Sequence, residues 1–333
     1  MPTACGASCN RFIRKSPRAS SLAGAAGFGL GSGIIFLGGR MSIWNAMDWV
    51  LPLRAPFFDV FFELVTLAGY PLFLILFLCF GYFAFGSKRF FHTAMLLIAT
   101  GLLNSWLKDL GQDPRPDALY ALDGRVGTSY GWPSGHTMVA VVLWGYLAYT
   151  LRHNWAYAAA ALIIGLQGFS RLYLGVHDLG DVASGFVFGV LCLAAYIGVE
   201  RHAALNGRLA ALSLPQILLA LIAIQIVFVL SYPSHAGHDV PYWFLGMSTG
   251  WLVGRYLGGH EEVVLPGAMW LQAIAAAALT AVSFALMLVS TRVPRALAAD
   301  SDVLNYGFGV AFGVAVIYGL PFLVAKARGL RAA

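Results

Sequence analysis

The chain has 333 residues, of which 59% are hydrophobic and 11% are charged, and its formal net charge is +6. A soluble domain carries about 25% charged residues, so this composition excludes a mainly solvated protein and favours one that crosses a membrane several times. The basic residues lie at the ends of apolar runs rather than along one face, which argues against a nucleic-acid partner. The four cysteines show neither a disulfide framework nor the regular spacing of a zinc site.

The first 40 residues combine a basic tail with a glycine-rich apolar segment at 22–39. The sequence leaves three interpretations of this segment open: a tenth membrane span that holds the basic tail in the cytoplasm, a signal-like segment, or a flexible stretch before a functional chain that begins at Met41. Residues 41–65 mix aromatic and charged side chains. This pattern is typical of an amphipathic segment that lies at the membrane interface and leads into the first span.

Nine apolar runs of spanning length follow. We expect each to be a helix, because only helices and closed barrels satisfy the backbone in lipid. The runs cover approximately 66–86, 91–109, 136–151, 155–172, 180–199, 213–231, 242–258, 265–290 and 304–324. The sequence therefore predicts an all-α polytopic membrane bundle of nine or ten transmembrane helices. A catalytic core is expected at 41–200 and an additional four-helix transmembrane extension at 201–333.

The distribution of lysine and arginine predicts the orientation, because cytoplasmic loops are enriched in both. One set of loops and ends carries Lys88, Arg89, Arg152, Arg201, Arg208, Arg255, Lys326, Arg328 and Arg331. Apart from the motif residues described next, the opposite set carries Arg54, Arg125, Arg292 and Arg295. We assign the first set to the cytoplasm. The absence of a glycosylation sequon and of a retention tail favours a bacterial inner membrane, with the second set facing the periplasm or exterior.

Three polar clusters interrupt the apolar sequence on the predicted outer side. They are Lys108 with Arg115-Pro116, then Pro133-Ser134-Gly135-His136, and then Ser170-Arg171 with His177 and Asp181. Ionisable groups at span ends usually face a cavity or water. Each cluster alone has an ordinary explanation, such as a lysine that reaches the interface or a serine that caps a helix. Together they have the composition of an oxyanion site.

These residue types suit the transfer of a phosphoryl group, whose equatorial oxygens carry negative charge. Two arginines can each grip those oxygens with paired hydrogen bonds, and a lysine adds a point charge. Ser134 and the amides that follow it would lie at a helix N-terminus, which binds anions readily. The predicted phosphate-binding residues are Lys108, Arg115, Ser134, Gly135 and Arg171.

The predicted catalytic residues are His177, His136 and Asp181. His177 and Asp181 are four residues apart and share a face if they lie on a helix. Asp181 can then orient the imidazole of His177 as a nucleophile, which leaves His136 to protonate the departing oxygen. No cofactor and no metal are predicted. The segment 235–239 (HAGHD) is a weaker metal candidate, because no further ligands flank its two histidines and its aspartate.

Lys-x6-Arg-Pro, Pro-Ser-Gly-His and Ser-Arg-x5-His-x3-Asp together resemble the three-part signature of the type 2 phosphatidic acid phosphatase superfamily. The resemblance covers residues 108–181. It implies a helical bundle, a phosphohistidine at His177 that is later hydrolysed by water activated by His136, and no metal. The four predicted spans after residue 200 are additional to the usual core of this superfamily. This extended arrangement, with its glycine-patterned late helix GMSTGWLVGRYLG, resembles the sphingosine-1-phosphate phosphatase and glucose-6-phosphatase branches.

The sequence thus predicts a membrane phosphatase that hydrolyses a lipid phosphate monoester on the extracytoplasmic side, with the lipid and the bilayer as its partners. Alternatives are a polyprenyl diphosphate phosphatase or lipid phosphotransferase, and a transporter or flippase that only binds the headgroup. The oriented histidine argues against pure binding. A hydrolase of soluble phosphates, similar to glucose-6-phosphatase, would need a polar pocket, for which Asp117, Asp123 and Arg125 are the candidates. No oligomeric state is predicted.

Overall fold

The structure, a computed structural model, describes residues 45–85, 87–233, 241–258, 268–298 and 301–327. Within these ranges the regular elements are all helical, in agreement with the predicted all-α class. The basic tail, the glycine-rich segment 22–39 and the HAGHD segment lie outside the described residues. The predictions made for them therefore stay predictions.

A 3₁₀ helix (Asp48–Leu53) comes first. The α-helices of the described ranges are α1 (Pro56–Leu67), α2 (Pro71–Phe85), α3 (Ser87–Gly111), α4 (Gly135–Leu151), α5 (Asn154–Tyr173), α6 (Leu179–Arg201), α7 (Ala203–Ala210), α8 (Leu214–Ser231), α9 (Tyr242–Leu257), α10 (Met269–Ala298), α11 (Asp302–Val314) and α12 (Leu320–Ala327). A π-helical segment (Ala315–Gly319) joins α11 to α12.

Five helices of the described chain are long and apolar enough to cross a membrane: Lys88–Gly111, Leu179–Arg201, Leu214–Ser231, Met269–Val293 and Asp302–Val324. The pair α1 and α2 adds a sixth if the two count as one bent span. These helices make the chain a multi-pass membrane protein. The predicted count of nine or ten spans stays a prediction. Two of the predicted runs form α4, with 17 residues, and α9, with 16 residues, both shorter than the ~20 residues of a typical span.

The predicted first span, 66–86, differs from the structure. Helix α1 ends at Leu67, α2 begins at Pro71, and the two are bent by 55°. The sequence between them explains the break, because Gly69 lowers helix propensity and Pro71 disfavours helical backbone at the residue before it. Helix α1 itself occupies the predicted amphipathic stretch. It exposes Phe57 and Leu64 while it buries Phe62, which suits a helix at the membrane interface.

The core helices approach α4 closely. A Cβ added to Gly185 of α6 would lie 2.5 Å from the carbonyl oxygen of Ser134, and one added to Gly189 would lie 2.9 Å from that of Met138. Helix α4 also packs against α3 and α5. Small residues at this crossing let the backbones come together, as is common in membrane bundles. The N-terminus of α4 is thereby held against the N-terminal half of α6.

The C-terminal extension packs on this core. Helix α10 contacts α2, α9 contacts α3, and α9 crosses α11 tightly. A Cβ on Gly250 of α9 would lie 2.2 Å from the carbonyl oxygen of Val310, so the glycine pattern predicted for this late helix serves a close helix crossing. One hydrophobic cluster contains side chains of α2, α3 and α4 together with side chains of α9, α10 and α11. The division at residue 200 stays a prediction.

Candidate active site

The three polar clusters meet at one end of the bundle. Lys108 lies in the last turn of α3, Arg171 lies in the last turn of α5, and His136 lies in the first turn of α4. The backbone N–H of Ser134 donates to the carbonyl oxygen of Asp181 at 2.9 Å, which ties the start of α4 to the start of α6. Residues far apart in the chain are thus brought around one cavity.

The start of α6 fixes the position of His177. Asp178 caps the helix by accepting a hydrogen bond from the backbone N–H of Asp181 at 2.9 Å. The Oδ2 of Asp181 lies 3.4 Å from the backbone nitrogen of Asp178 and 2.9 Å from Nδ1 of His177. Both side chains of this pair are buried, with 2% and 1% exposed. The capping box therefore holds the carboxylate that orients the ring.

The second ring nitrogen of His177 faces Arg115. Its Nε2 lies 3.1 Å from Nη1 of Arg115. A guanidinium can only donate, so Nε2 is the acceptor, and the proton of the neutral ring sits on Nδ1 toward Asp181. The lone pair of Nε2 thus points toward the arginine that lines the cavity.

Burial lowers the pKa of His177 well below its ordinary value of 6.5, and the positive charges of Lys108, Arg115 and Arg171 lower it further. The imidazole is consequently neutral at physiological pH. A neutral ring with its lone pair on Nε2 is the form in which histidine acts as a nucleophile.

Arg115 is anchored to the loop that joins α3 to α4. Its Nε donates to the carbonyl oxygen of Ser129 at 2.7 Å, and its Nη2 donates to the Ser129 hydroxyl at 2.8 Å. Its Nη1 donates to the carbonyl oxygen of Val176 at 2.7 Å. Burial and the charge of Arg171 lower the pKa of Arg115 to about 10, so the guanidinium stays protonated at neutral pH.

Lys108 is tied to the same loop. Its Nζ donates to the carbonyl oxygens of Tyr130 and Gly131, the latter at 2.8 Å. The backbone of Gly131 also passes close to Asp181, since a Cβ on this glycine would lie 2.9 Å from Oδ2 of the aspartate. A glycine at this position lets the loop lie between the lysine and the carboxylate.

Arg171 is almost completely buried, with 1% of its side chain exposed. Its Nη1 donates to Oδ2 of Asp123 at 3.0 Å and to the hydroxyl of Thr66. Asp123 also accepts from the Tyr70 hydroxyl at 2.6 Å and from Nε of Arg125 at 2.8 Å. The carboxylate therefore holds a site arginine in place.

Burial works to raise the pKa of Asp123, but hydrogen bonds from Tyr70, Arg125 and Arg171 outweigh it and hold this pKa below its ordinary value. Arg125 in turn lies 3.4 Å from Glu63. Asp123, considered from the sequence for a polar sugar pocket, thus holds Arg171, and Arg125, considered for the same pocket, is hydrogen-bonded to Asp123. The sequence did not predict Thr66, Tyr70 and Asp123 as partners of this arginine.

The Pro-Ser-Gly-His motif forms the start of α4, as its sequence predicts. Gly135 and His136 line the cavity. Ser134 is fully buried behind them, and its Oγ accepts a hydrogen bond from the Thr137 hydroxyl at 3.1 Å. The serine side chain lies outside the cavity lining, and its predicted role in phosphate binding stays a prediction.

The ring of His136 is held by the break between α1 and α2. It meets the ring of Tyr70 edge-on, with the centroids 4.6 Å apart. A Cβ on Gly69 would lie 2.3 Å from Cδ2 of this histidine. Its buried Nε2 has no hydrogen-bond partner among the described residues. The ring is therefore positioned by packing, and this nitrogen remains available to a bound group.

The cavity enclosed by these residues has a volume of about 330 Å³, within the range of about 300–1,000 Å³ that is usual for small-ligand sites. At its polar end lie Lys108, Arg115, Arg171, His136 and His177. Within the described residues no group of three or more His, Cys, Asp or Glu side chains could hold a metal ion.

Comparisons with known proteins identify the relatives of this chain. The profile of the PAP2 superfamily matches residues 89–203. Phosphatidylglycerophosphatase B of Bacillus subtilis is 32% identical over 162 residues, which cover 45% of this chain and 78% of that protein. The chain belongs to the PAP2 superfamily. The predicted resemblance is thereby confirmed, and the matched region contains all three polar clusters.

Two further relatives of this PAP2 chain also match only part of it. Lipid phosphate phosphatase delta of Arabidopsis thaliana is 31% identical over 134 residues, 35% of this chain and 32% of that protein. The crystal structure of a transmembrane PAP2-type phosphatidylglycerolphosphate phosphatase from Bacillus subtilis is 29% identical, with a TM-score of 0.42, and covers 46% of this chain and 82% of that one. The last 130 residues of this chain lie outside the family match.

Proposed function

We propose that this PAP2 superfamily member is a membrane phosphatase that hydrolyses a lipid phosphate monoester through a phosphohistidine at His177. The observation that carries the proposal is the buried pair of His177 and Asp181. It directs a neutral Nε2 toward Arg115 at the polar end of the cavity. Simple binding of a phosphate would not require a histidine oriented in this way.

The first half-reaction follows from the positions of the charges. Arg115, Arg171 and Lys108 stabilise the oxygens of the phosphoryl group. Nε2 of His177 attacks phosphorus, the bond from phosphorus to the ester oxygen breaks, and its electron pair leaves with that oxygen. Burial and the charge of Arg171 lower the pKa of His136, and the negative charge of a bound phosphate raises this pKa again. The His136 ring protonated in this way donates its proton to the oxygen, so the product is an alcohol. The new phosphohistidine is then positively charged on its ring, which Asp181 stabilises.

The second half-reaction regenerates the enzyme. His136, now neutral, takes a proton from a water molecule as the water oxygen attacks phosphorus. The bond between phosphorus and Nε2 breaks, and its electron pair returns to the ring of His177. Inorganic phosphate leaves, and no metal takes part in either step. Removal of Asp181 disturbs the orientation of the ring and the stabilisation of its charge but leaves the nucleophile in place. Asp181→Asn should therefore lower the rate less than His177→Ala.

A lipid is the proposed substrate class because the cavity is apolar beyond its charged end. Leu74, Leu78 and Leu97 are among its lining residues. The Bacillus subtilis and Arabidopsis thaliana relatives carry the names of lipid phosphatases. Of the three candidates for holding a sugar, Asp123 is hydrogen-bonded to Arg171, Arg125 is hydrogen-bonded to Asp123, and Asp117 caps a short 3₁₀ helix through the backbone N–H of Leu119.

We place the site on the extracytoplasmic side of a bacterial inner membrane. The polar clusters lie at the C-terminal end of α3 and the N-terminal end of α4, whereas Lys88 and Arg152 lie at the opposite ends of the same helices. Basic residues are enriched on the cytoplasmic side. The PAP2 site would then meet its substrate at the outer headgroup region.

Phosphate release from a panel of lipid and soluble phosphates by the purified full-length protein in detergent tests this function. We expect kcat/KM for a long-chain monoester to exceed that for glucose 6-phosphate at least about tenfold, or about 1.4 kcal/mol. Diphosphates should be slower, EDTA should leave the rate unchanged, and vanadate should inhibit. Equal turnover of glucose 6-phosphate, or loss with EDTA that a divalent ion restores, would contradict the proposal.

A further inference from the structure

The cavity continues away from the reacting residues along one face of α3. Its lining includes Ala94, Leu97, Gly101 and Lys108 of this helix, at spacings of three, four and seven residues that keep them on one side. Ala94 and Lys108 are fourteen residues apart, which corresponds to about 21 Å along the helix axis. The cavity is therefore long, with its charges at one end and apolar side chains along the rest.

The wall opposite α3 comes partly from the C-terminal extension. Phe244, Met247 and Trp251 of α9 line the cavity, and their spacing of three and four residues places them on one face of that helix. Phe312 of α11 also lines it. These residues lie outside the part of the chain that matches the PAP2 profile, residues 89–203.

Aromatic side chains lie at the far end of the cavity. Trp251 is 3% exposed and stacks on Phe91 of α3 with a centroid distance of 6.1 Å. Phe91 lies about one turn before Ala94, which is the cavity-lining residue of α3 farthest from Lys108. The stacked pair therefore marks the end of the cavity that is farthest from the charged residues. The close crossing of α9 and α11 fixes the position of Trp251, since a Cβ on Gly313 would lie 2.7 Å from the backbone nitrogen of this tryptophan.

We propose that α9 and α11 form one wall and the floor of a binding site for a single hydrocarbon chain of the substrate, so that the extension selects substrates by chain length. This inference rests on the proposed function. The occupant follows from continuity, because the same cavity contains His177 at its charged end and Trp251 at its apolar end. A lipid whose phosphate reaches His177 has its chain at the mouth of the apolar part.

Selection at such a site works by fit rather than by removal from water. A chain that leaves a bilayer or micelle is already in an apolar medium, so the transfer into the cavity gains little from the hydrophobic effect. Hydrocarbon chains of different length differ in how well they pack against the cavity walls and in the cost of exceeding the cavity volume. We therefore expect kcat/KM to pass through a maximum as the chain is lengthened.

Gly101 offers a substitution that shortens the cavity. It lines the cavity, and a Cβ added to it would meet no atom of the described residues within 4 Å, so a larger side chain can begin there without a backbone clash and extend into the cavity. Gly165 of α5 is a matched control, since it is also a helical glycine with no atom within 4 Å of an added Cβ, and it does not line the cavity. Both substitutions raise helix propensity, so the two variants should fold alike.

The experiment compares butyl, decyl and hexadecyl phosphate at equal mole fraction in detergent. We expect Gly101→Leu to lower kcat/KM for hexadecyl phosphate at least tenfold, to change it less than twofold for butyl phosphate, and to move the maximum to a shorter chain. Gly165→Leu should behave as the wild type. Met247→Ala, which enlarges the cavity at the extension wall, should move the maximum to a longer chain.

Two negative results are distinguishable. If the wild type hydrolyses alkyl phosphates but Gly101→Leu changes all three chains equally or none of them, the chain site is wrong and the phosphatase stands. The same conclusion follows if Met247→Ala leaves the chain-length profile where it was. If the wild type hydrolyses no alkyl phosphate at all, the proposed function itself is wrong, and the chain site is overturned with it.

Discussion

At the scale of single residues, the turn before α6 accounts for the reactivity that we assign to His177. Asp178 caps the helix, Asp181 accepts from the capped turn, and the same carboxylate then holds Nδ1 of the histidine. The ring is thus fixed by a helix start rather than by a chain of mobile side chains. Its nucleophilic nitrogen needs no further movement to face a phosphate held by Arg115.

His136 provides a prediction that separates acid catalysis from phosphate binding. His136→Ala should lower kcat/KM for an alkyl phosphate by about 10²–10⁴, the usual contribution of a general acid. The loss for a nitrophenyl phosphate should be at least about tenfold smaller, because a phenolate leaves without a proton. The comparison uses kcat/KM because this quantity ends with the first bond cleavage.

Arg115→Lys serves as the control for that comparison. It weakens the grip on phosphoryl oxygens, which are the same in both substrates, and should lower kcat/KM for the two by similar factors. Equal losses for both substrates in His136→Ala would contradict the assignment of the proton donor.

The lowered pKa of His177 predicts how stability depends on pH. In the unfolded chain the histidine titrates near pH 6.5, whereas in the folded protein burial and nearby cations keep it neutral to lower pH. At this residue the unfolded chain therefore binds more protons than the folded one below about pH 6.5. This group alone should lower the free energy of unfolding by at most about 1.4 kcal/mol per pH unit as the pH falls, until its folded pKa is reached.

Thermal unfolding in one detergent at about pH 7 and pH 5 measures this effect. We expect a lower Tm at the acidic pH in the wild type, and a smaller decrease in His177→Asn, which lacks the titrating ring. Burial raises the pKa values of Asp113 and Asp178, and these groups act in the opposite direction in both proteins. The same decrease in both proteins would show that the ring is not the group responsible.

The residues of the site differ in how well the sequence predicts them. The spacing of four between His177 and Asp181 implies a shared helix face, and the two side chains are indeed hydrogen-bonded. The partners of Arg171 follow no local pattern, since Asp123 is 48 residues away and Thr66 is 105 residues away. Such contacts arise from tertiary packing, which periodicity and motif spacing do not encode.

At the scale of elements, the break between α1 and α2 does more than end a span. It brings Gly69 and Tyr70 against the ring of His136. The sequence predicted a continuous span from residue 66, because the apolar composition runs through the break. Gly69 and Pro71 are local signals of a helix break. That the break positions the ring of His136 becomes evident only from its packing against α4.

Gly69→Ala tests this packing. The new Cβ would lie 2.3 Å from Cδ2 of His136, so the ring must move. Displacement of a catalytic group by about 1 Å can lower a rate by about 10². We expect the loss to be larger for an alkyl than for a nitrophenyl phosphate, as for His136→Ala. Gly198→Ala, a helical glycine with open space around it, should leave both rates unchanged. A uniform loss in Gly69→Ala would indicate damage to the fold instead.

At the scale of the whole molecule, the distribution of basic residues predicts which side the site faces. In a variant without native cysteines, a cysteine in place of Thr128, in the exposed loop beside the site, should react in intact cells with an impermeant thiol reagent. A cysteine in place of Asn154, exposed at the opposite end of the bundle, should react only after the cells are opened. The reverse pattern would place the site in the cytoplasm.

The helices of the C-terminal extension can be predicted from the sequence, but their contacts with the core cannot. Its apolar runs and glycine pattern predict helices that pack closely, which α9 and α11 do. That these helices reach the cavity of the core depends on contacts between segments more than 100 residues apart, such as Phe91 with Trp251. No feature of the linear sequence marks such a contact in advance.

The proposed mechanism requires a covalent intermediate on His177, which can be trapped. The protein is mixed with a nitrophenyl phosphate labelled in its phosphoryl group, quenched and digested. His136→Ala should accumulate the label, because its second half-reaction lacks the base that activates water. We predict an acid-labile label on the peptide that contains His177, and neither label nor turnover in His177→Ala. A label on another residue, or undiminished turnover in His177→Ala, would contradict this account.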